Sequence, residues 1–385
     1  MRIMKKPGRN LLVFWFSLIL ILFLNRLSAQ ETRKDTILIH ANGSVTFQYR
    51  DSAAQCVKLI CDAKLKRPTL TIKTEDYHSV NMKRDSDGIW RFTSPTLAPE
   101  VYTYQFECNG RHIPDPTNPD SIRVRDEKMS VFTIGGTPQA NLYINEHPSG
   151  KVDTVEFICP DQSKPRRIIV YTPPQYAEGQ DEFPVLYLLH GLNGNETSWS
   201  DRGRAVQILD NLIAMGKAKP MILVMPDANP VCLISQKEDI GLFKNIMLYS
   251  SWDLLEFEKC FPSMDEFLSG LYRFSHRTGD RAVAGLSAGA KQSCNLANMY
   301  SCTFSSVGLF SPVVGRKQLP SDNYSKYWVG GGTSDFFRGR INMYRKHLQR
   351  KHIVYTMYST VGGHTWRNWR VYFTEYVQTL FWNKK

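Results

Sequence analysis

Two periods of apolar residues divide the chain. Between residues 36 and 133, apolar and polar positions alternate: in Ser44-Val45-Thr46-Phe47-Gln48-Tyr49 the residues Val45, Phe47 and Tyr49 fall on one side. Val57, Leu59 and Cys61 repeat the pattern, as do Leu70 and Ile72, Ile89 to Phe92, and Tyr102, Tyr104 and Phe106. Successive strand side chains point to opposite faces, so this alternation predicts strands with one buried face. Asp85-Ser86-Asp87-Gly88 and Cys108-Asn109-Gly110 supply turns between them. Short strands at this spacing predict an all-β sandwich over residues 30–133.

Residues 134–150 carry Gly135-Gly136, Pro138 and Pro148-Ser149-Gly150 and read as a connector. Over residues 151–385 the pattern changes. Arg167–Tyr171, Val185–Leu189, Met221–Met225, Ala282–Ala284, Val307–Phe310, Tyr327–Val329 and Ile353–Tyr355 are near-continuous apolar runs. Helical spacing appears between several of them, as in Ala205–Met215 and Ile341–Leu348. Strands apolar on both sides and alternating with helices predict a mostly parallel sheet with helices on both faces.

The first residues belong to neither pattern. Arg2, Lys5, Lys6 and Arg9 precede an unbroken apolar run from Leu11 to Leu24, followed by Leu27-Ser28-Ala29. A basic start, a short apolar run and a small-residue exit predict a secretory signal peptide over residues 1–29. The run is short for a membrane span of about 20 residues, so no membrane association is expected after cleavage, and the expected location is secreted or periplasmic. The formal net charge of +12 shrinks with it, because residues 1–29 hold five basic and no acidic residues, leaving 43 positive against 36 negative charges. Residues 316–385 hold 13 basic and three acidic residues, much of the excess on Arg338–Lys351. There Ile341, Tyr344 and Leu348 form an inner helix face, so the charges read as a solvated outer face, not a nucleic-acid partner. The eight cysteines match no metal-ligand spacing, and no disulfide is assigned. No metal and no cofactor are expected.

The chemistry concentrates at Gly285-Leu286-Ser287-Ala288-Gly289, a Gly-x-Ser-x-Gly pentapeptide between the apolar run ending at Ala284 and the helical run Ala290–Met299. Strand, sharp turn and helix are the setting of a nucleophile elbow. A serine needs a base, and the base an orienting acid. Three histidines follow Ser287. His347 and His352 lie on or just after the basic helix, whereas His364, in Gly362-Gly363-His364-Thr365-Trp366, follows an apolar strand and is the expected base. Three acids follow Ser287. Glu375 lies beyond the histidine, and Asp322 precedes a strand. Asp335, just past the strand ending in Gly330-Gly331-Gly332, is the expected acid, with Asp322 its competitor. The backbone N–H of Ala288 is one expected oxyanion donor. The other is Leu192, in the loop His190-Gly191-Leu192-Asn193-Gly194 after Val185–Leu189. His190 precedes the nucleophile and is expected to be structural.

With these pieces in order, residues 150–385 resemble the esterase D-like α/β-hydrolases: the feruloyl and acetylxylan esterases of carbohydrate esterase family 1, and the enterochelin esterases. Val170–Tyr176, Leu188-Leu189-His190-Gly191, the Ser287 elbow, Gly330–Asp335 and Gly362–Arg370 carry the likeness. The resemblance implies an α/β-hydrolase fold with Ser287, His364 and Asp335 as nucleophile, base and acid. Where the family reads Met after the serine, this chain has Ala288, which keeps the N–H. In the front region Asp87-Gly88-Ile89-Trp90, the aromatics Tyr102, Tyr104 and Phe106, and Asp115–Pro119 resemble early-set immunoglobulin-like domains akin to family 48 carbohydrate-binding modules. Such a domain implies sugar binding, but three aromatics on one strand face predict a core.

The expected activity is therefore an exported serine carboxylic ester hydrolase removing feruloyl or acetyl groups from xylan, an ester-substituted polysaccharide. Trp199, Trp366 and Trp369 are candidates for lining its acyl or sugar pocket. Two alternatives share parts of the pattern: a siderophore or other small-ester hydrolase, and a non-catalytic glycan-binding protein.

Overall fold

The computed structural model describes residues 37–63, 77–124, 127–144, 147, 149–160, 162–230, 256–315, 318–321 and 324–382. The signal-peptide segment, the Leu70/Ile72 strand, Cys232 and Asp322 lie outside the described residues.

The front of the chain forms two antiparallel sheets. One has the order β1 (Ile37–Ile39), β2 (Val45–Arg50), β6 (Ile89–Thr93), β5 (Lys83–Arg84). The other runs β4 (His78–Asn81), β3 (Val57–Cys61), β7 (Glu100–Cys108), β10 (Glu127–Ile134), β9 (Ser121–Val124), with β8 (Arg111–Ile113) beside β7. The alternating residues behave as their period requires. Val45, Phe47 and Tyr49 meet Val57, Leu59, Tyr102, Tyr104 and Phe106 in one core between the sheets. The aromatic face of β7 is thus packing surface, not a sugar platform.

β7 and β10 are buried on both faces. Their other face, Val101, Met129 and Val131, belongs to a second core that includes Trp366, Trp369, Tyr372 and Phe373. These four aromatics lie on the helix Trp366–Val377. The second sheet is therefore a shared middle layer, which explains why β7 lacks the polar outer face of an ordinary antiparallel strand.

The remainder is an eight-stranded sheet in the order β11 (Lys151–Phe157), β12 (Arg166–Thr172), β14 (Ile222–Pro226), β13 (Val185–Leu189), β15 (Arg281–Leu286), β16 (Ser306–Phe310), β17 (Lys326–Gly332), β18 (Thr356–Thr360). The pairs of β12 with β11 and β14 are antiparallel and the rest are parallel. Leu186 and Leu188 of β13, with Ala282 and Ala284 of β15, face one core. Tyr187, Leu189 and Val283 face the other. Both faces are covered, so the strands read as continuous apolar runs.

The helices are α1 (Pro138–Asn141), α2 (Ser198–Asp201), α3 (Ala205–Ala214), α4 (Glu256–Ser269), α5 (Ala288–Met299), α6 (Arg338–Arg350) and α7 (Trp366–Val377). α3 and α7 cover the first face, and α4, α5 and α6 the second. On α6 the inner face is Ile341, Tyr344 and Leu348, as its spacing predicts, and Arg338, Arg340, Lys346 and Arg350 are exposed. No helix among the described residues is long and apolar enough to cross a membrane. The seven described cysteines are free thiols.

One strand boundary differs from the sequence reading. The apolar run Ile353–Tyr355 is not the last strand, which starts at Thr356, opposite Trp328. The end of α6 captures the earlier residues: His352 takes a φ of +56°, and the Ile353 N–H donates to the Leu348 carbonyl at 3.0 Å. Such left-handed helix ends satisfy carbonyls that have no helical partner.

The front sheets and the large sheet meet at a buried ion cluster. Glu100, at the start of β7, accepts from Arg367 Nη1 at 3.0 Å and from Arg370 Nη2 at 2.9 Å, both on α7. Arg370 Nη1 also donates to the Arg202 carbonyl, and Gln139 of α1 donates to Thr374 of α7. Removing one partner of a buried pair leaves uncompensated charge, a loss of about 3–5 kcal/mol. Glu100→Ala is expected to lower unfolding stability by that order in urea titration; a change under about 1 kcal/mol would show that the cluster is solvated.

Candidate active site

The large sheet has a switch point at β13, which pairs with β14 on one side and β15 on the other. In such sheets the crevice outside the strands' carboxyl ends is the place for a ligand. The loops leaving β13, β15, β16, β17 and β18 carry, in turn, Leu192, Ser287, Ser311, Asp335 and His364.

Ser287 sits between β15 and α5 with φ 54° and ψ −113°, a strained conformation for a residue with a side chain. The flanking glycines are sterically required. A Cβ on Gly285 would lie 2.5 Å from the Gly289 carbonyl oxygen, and one on Gly289 would lie 2.3 Å from the His190 carbonyl oxygen. The turn is fixed from outside by the Ser287 N–H, which donates to the Phe310 carbonyl at 2.8 Å. At the first position of α5 the Ala288 N–H has no intrahelical acceptor, so it is free to meet a developing negative charge.

The Leu192 loop lies against this elbow: a Cβ on Gly191 would be 3.3 Å from Ser287 Cβ. The loop is a tight turn, closed by the Gly194 N–H on the Gly191 carbonyl at 3.0 Å, with Asn193 at φ 60°. That closure leaves the Leu192 N–H outside the turn's own hydrogen bond. Asn229, which the sequence reading passed over, donates to the Gly194 carbonyl at 2.8 Å and ties the loop to the end of β14. His190 is structural in this arrangement. Its Nε2 accepts the Ala228 N–H at 3.0 Å, and its Nδ1 lies 2.8 Å from the Gly191 carbonyl. Both ring nitrogens are therefore occupied.

Asp335 and His364 are in contact. His364 Nδ1 lies 3.1 Å from Asp335 Oδ2 and 3.2 Å from Oδ1. The two loops are knit through backbone: the Ser334 N–H donates to the Gly362 carbonyl and the Thr333 N–H to the Thr360 carbonyl. Gly332 permits this approach, since a Cβ there would be 2.3 Å from the Gly362 oxygen. Asp335 is 4% exposed. Burial alone would push its carboxyl up. The His364 hydrogen bond and charge, the Phe337 N–H and the Ser311 hydroxyl outweigh burial and hold it below the ordinary carboxylate value. An ionised Asp335 accepting from Nδ1–H leaves Nε2 of His364 as a proton acceptor.

Aromatic rings surround the base. Phe336 lies 4.5 Å, Trp369 4.9 Å and Phe337 5.3 Å from the imidazole, centroid to centroid. Phe336 is 72% exposed and Val361 77%, so the rim beside His364 presents apolar surface. Neither residue has a periodic signal, because both stand in loops. The expected pocket-lining role of the tryptophans needs correction. Trp199 is 1% exposed, with its indole N–H on the Leu189 carbonyl and its ring against Trp366 and Phe373. Trp366 is buried beside it and borders a small cavity between α7 and β7, with Val101 and Thr103, away from Ser287 and His364. Both are core. Trp369 packs on His364 with the two rings close to perpendicular and donates to Ser311 Oγ at 3.1 Å. Among the described residues, no three His, Cys, Asp or Glu side chains converge as metal ligands would.

Comparison with known proteins places this geometry. Residues 162–241 match the family model named Esterase. An endo-1,4-beta-xylanase/feruloyl esterase of Xylanibacter ruminicola is 28% identical over 217 residues, which cover 55% of this chain and 28% of that protein. The match thus spans little more than a quarter of the relative's length. Among solved structures, a CE1 ferulic acid esterase of the anaerobic fungus Anaeromyces mucronatus aligns with TM-score 0.54 and 22% identity, over 62% of this chain and 93% of its own. The enterobactin esterase of Shigella flexneri aligns with TM-score 0.58 and 16% identity, over 86% and 92%. At such identities the likeness to the solved structures is one of fold: the large sheet and its helices have the α/β-hydrolase fold, and residues 162–241 within it match the Esterase model.

Proposed function

We propose that this chain is an exported serine ester hydrolase that removes feruloyl or acetyl groups from xylan. The observation that carries the reading is the buried Asp335–His364 contact on the sheet edge where the Ser287 elbow also stands. Ser287 Oγ attacks the ester carbonyl while His364 Nε2 takes its proton. The tetrahedral oxyanion accepts from the Ala288 and Leu192 N–H groups. His364 returns the proton to the leaving alcohol, and water repeats the sequence on the acyl-enzyme. Asp335 stays ionised and orients the imidazole. Residues 30–133 are read as an immunoglobulin-like unit, 134–150 as its connector and 151–385 as the esterase unit, after a signal peptide over residues 1–29.

The exposed Phe336 ring beside the base favours an acyl or alcohol group with a flat apolar face. A second reading, a hydrolase of catecholate siderophore esters, draws support from the structural likeness to the enterobactin esterase, which extends over 86% of the chain. A substrate panel separates the two. Turnover of methyl ferulate or acetylated xylan, with none of a ferric catecholate triester, is expected; the opposite order would replace the first reading by the second.

A further inference from the structure

The residues just after β14, Asp227-Ala228-Asn229, form a bracket beside the Leu192 loop. Each of their backbone N–H and C=O groups has a partner. The Asp227 N–H donates to the Arg167 carbonyl at 2.8 Å, and the Ala228 N–H to His190 Nε2 at 3.0 Å. The Asn229 N–H donates to Asp227 Oδ1 at 3.0 Å. Arg166 Nη1 donates to the Asp227 carbonyl at 2.9 Å and to the Asn229 carbonyl at 2.6 Å. Gln292 of α5 donates to the Ala228 carbonyl at 2.7 Å. Arg166 is 0% exposed, so a buried guanidinium holds this short segment, and backbone groups so fully paired leave it little freedom to shift.

What the bracket holds out is the Asn229 side chain. Its amide nitrogen carries two hydrogens. One goes to Asp227 Oδ1 at 2.7 Å and the other to the Gly194 carbonyl at 2.8 Å. Gly194 closes the turn Gly191–Gly194, whose third residue, Asn193, has φ 60° while Leu192 before it does not have a positive φ. That is the pattern of a type II turn. Gly194 is gripped from the side as well, since a Cβ there would lie 2.9 Å from both His190 Nδ1 and Ser198 Oγ. The other end of the turn abuts the nucleophile: a Cβ on Gly191 would be 3.3 Å from Ser287 Cβ. A shift of Gly194 therefore turns the Leu192 peptide relative to Ser287.

We propose that Asn229 is a positioning residue for the oxyanion site: braced by Asp227 and Arg166, its amide holds the Gly191–Gly194 turn so that the Leu192 N–H faces the carbonyl attacked by Ser287. Gln292 links the same bracket to α5, the helix whose first residue, Ala288, carries the other proposed donor. The bracket thus spans both donors. The inference rests on the nucleophile and oxyanion donors proposed above. Asn229 touches no reacting atom and acts through the turn alone.

Two variants test it together. Proline suits the second position of a type II turn and has no N–H, so Leu192→Pro removes the donor and keeps the turn. With methyl ferulate or 4-nitrophenyl acetate, its kcat is expected to fall about 10²–10³-fold. Asn229→Ala is expected to lower kcat about tenfold to a hundredfold, with KM within about twofold of wild type and an unchanged circular dichroism spectrum. Asn229→Ser, whose hydroxyl is one bond too short for the Gly194 carbonyl, takes its place should the alanine variant not fold. The decisive arm is the double variant. If Asn229 works only through the Leu192 N–H, adding its substitution to Leu192→Pro changes kcat no further. A folded Asn229 variant with unaltered kcat, or a further independent loss in the double variant, would overturn the inference while leaving the triad in place. Wild-type turnover in Leu192→Pro would overturn the oxyanion assignment and this inference with it, and wild-type turnover in Ser287→Ala the whole reading.

Discussion

Replacing Ser287 by alanine is expected to lower ester turnover by roughly five to six orders of magnitude while leaving the fold and substrate affinity intact. The size follows from the covalent route. Without Oγ no acyl-enzyme forms, and His364 has no hydroxyl to deprotonate. What would survive is the proposed oxyanion site at Ala288 and Leu192, expected to polarise a bound carbonyl toward water and to leave about 10³–10⁴-fold over the uncatalysed reaction. KM should change little, because Ser287 is 8% exposed and offers little binding surface. The melting temperature should also hold, because alanine meets the same φ of 54° and keeps the N–H bonded to Phe310. Steady-state kinetics on methyl ferulate with Ser287→Ala, beside calorimetry of the same preparation, checks all three.

Asp335→Asn is expected to lower kcat by about 10⁴ with KM little changed. The shape of the carboxylate is kept, but its acceptor role is divided. An asparagine can turn its NH₂ toward His364 Nδ1, which places the imidazole proton on Nε2, where Ser287 needs an acceptor. The charge that would stabilise the imidazolium is lost as well. The neighbouring backbone sharpens the effect: the Phe337 N–H donates to Asp335 Oδ1 at 2.8 Å, and an amide that gives its one oxygen to this donor has only its NH₂ left to turn toward His364. An ordinary loss of stability would appear as reduced melting temperature with kcat preserved in the folded fraction, which separates the two explanations.

The sheet was readable in the sequence because each strand writes its burial into consecutive residues. Val185–Leu189 is apolar throughout because Leu186 and Leu188 feed one core while Tyr187 and Leu189 feed the other. The elbow was readable for the same local reason: two glycines, a serine, a strand before and a helix after lie within a dozen residues. Asp335 and His364 were chosen as candidates from their places after strands, and they stand 3.1 Å apart. What stayed hidden depends on residues far apart in the chain. Ser311 is 58 residues from Trp369, its partner. Glu100 is 270 residues from Arg370. Trp199 stood out as an aromatic near the site motifs, but its indole N–H is spent on Leu189 inside the core. The run Ile353–Tyr355 has strand-like residues, yet the end of α6 claims it first.

The central claim is that Ser287 is the activated nucleophile of an ester hydrolase. Reaction of the purified protein with a fluorophosphonate, followed by intact-mass measurement and peptide mapping, tests it without assuming a substrate. One adduct per chain is predicted, on the peptide containing Ser287, with labelling lost in Ser287→Ala and sharply slowed in His364→Ala. A label on any other residue, or full ester turnover after incubation with no adduct at Ser287, would contradict it.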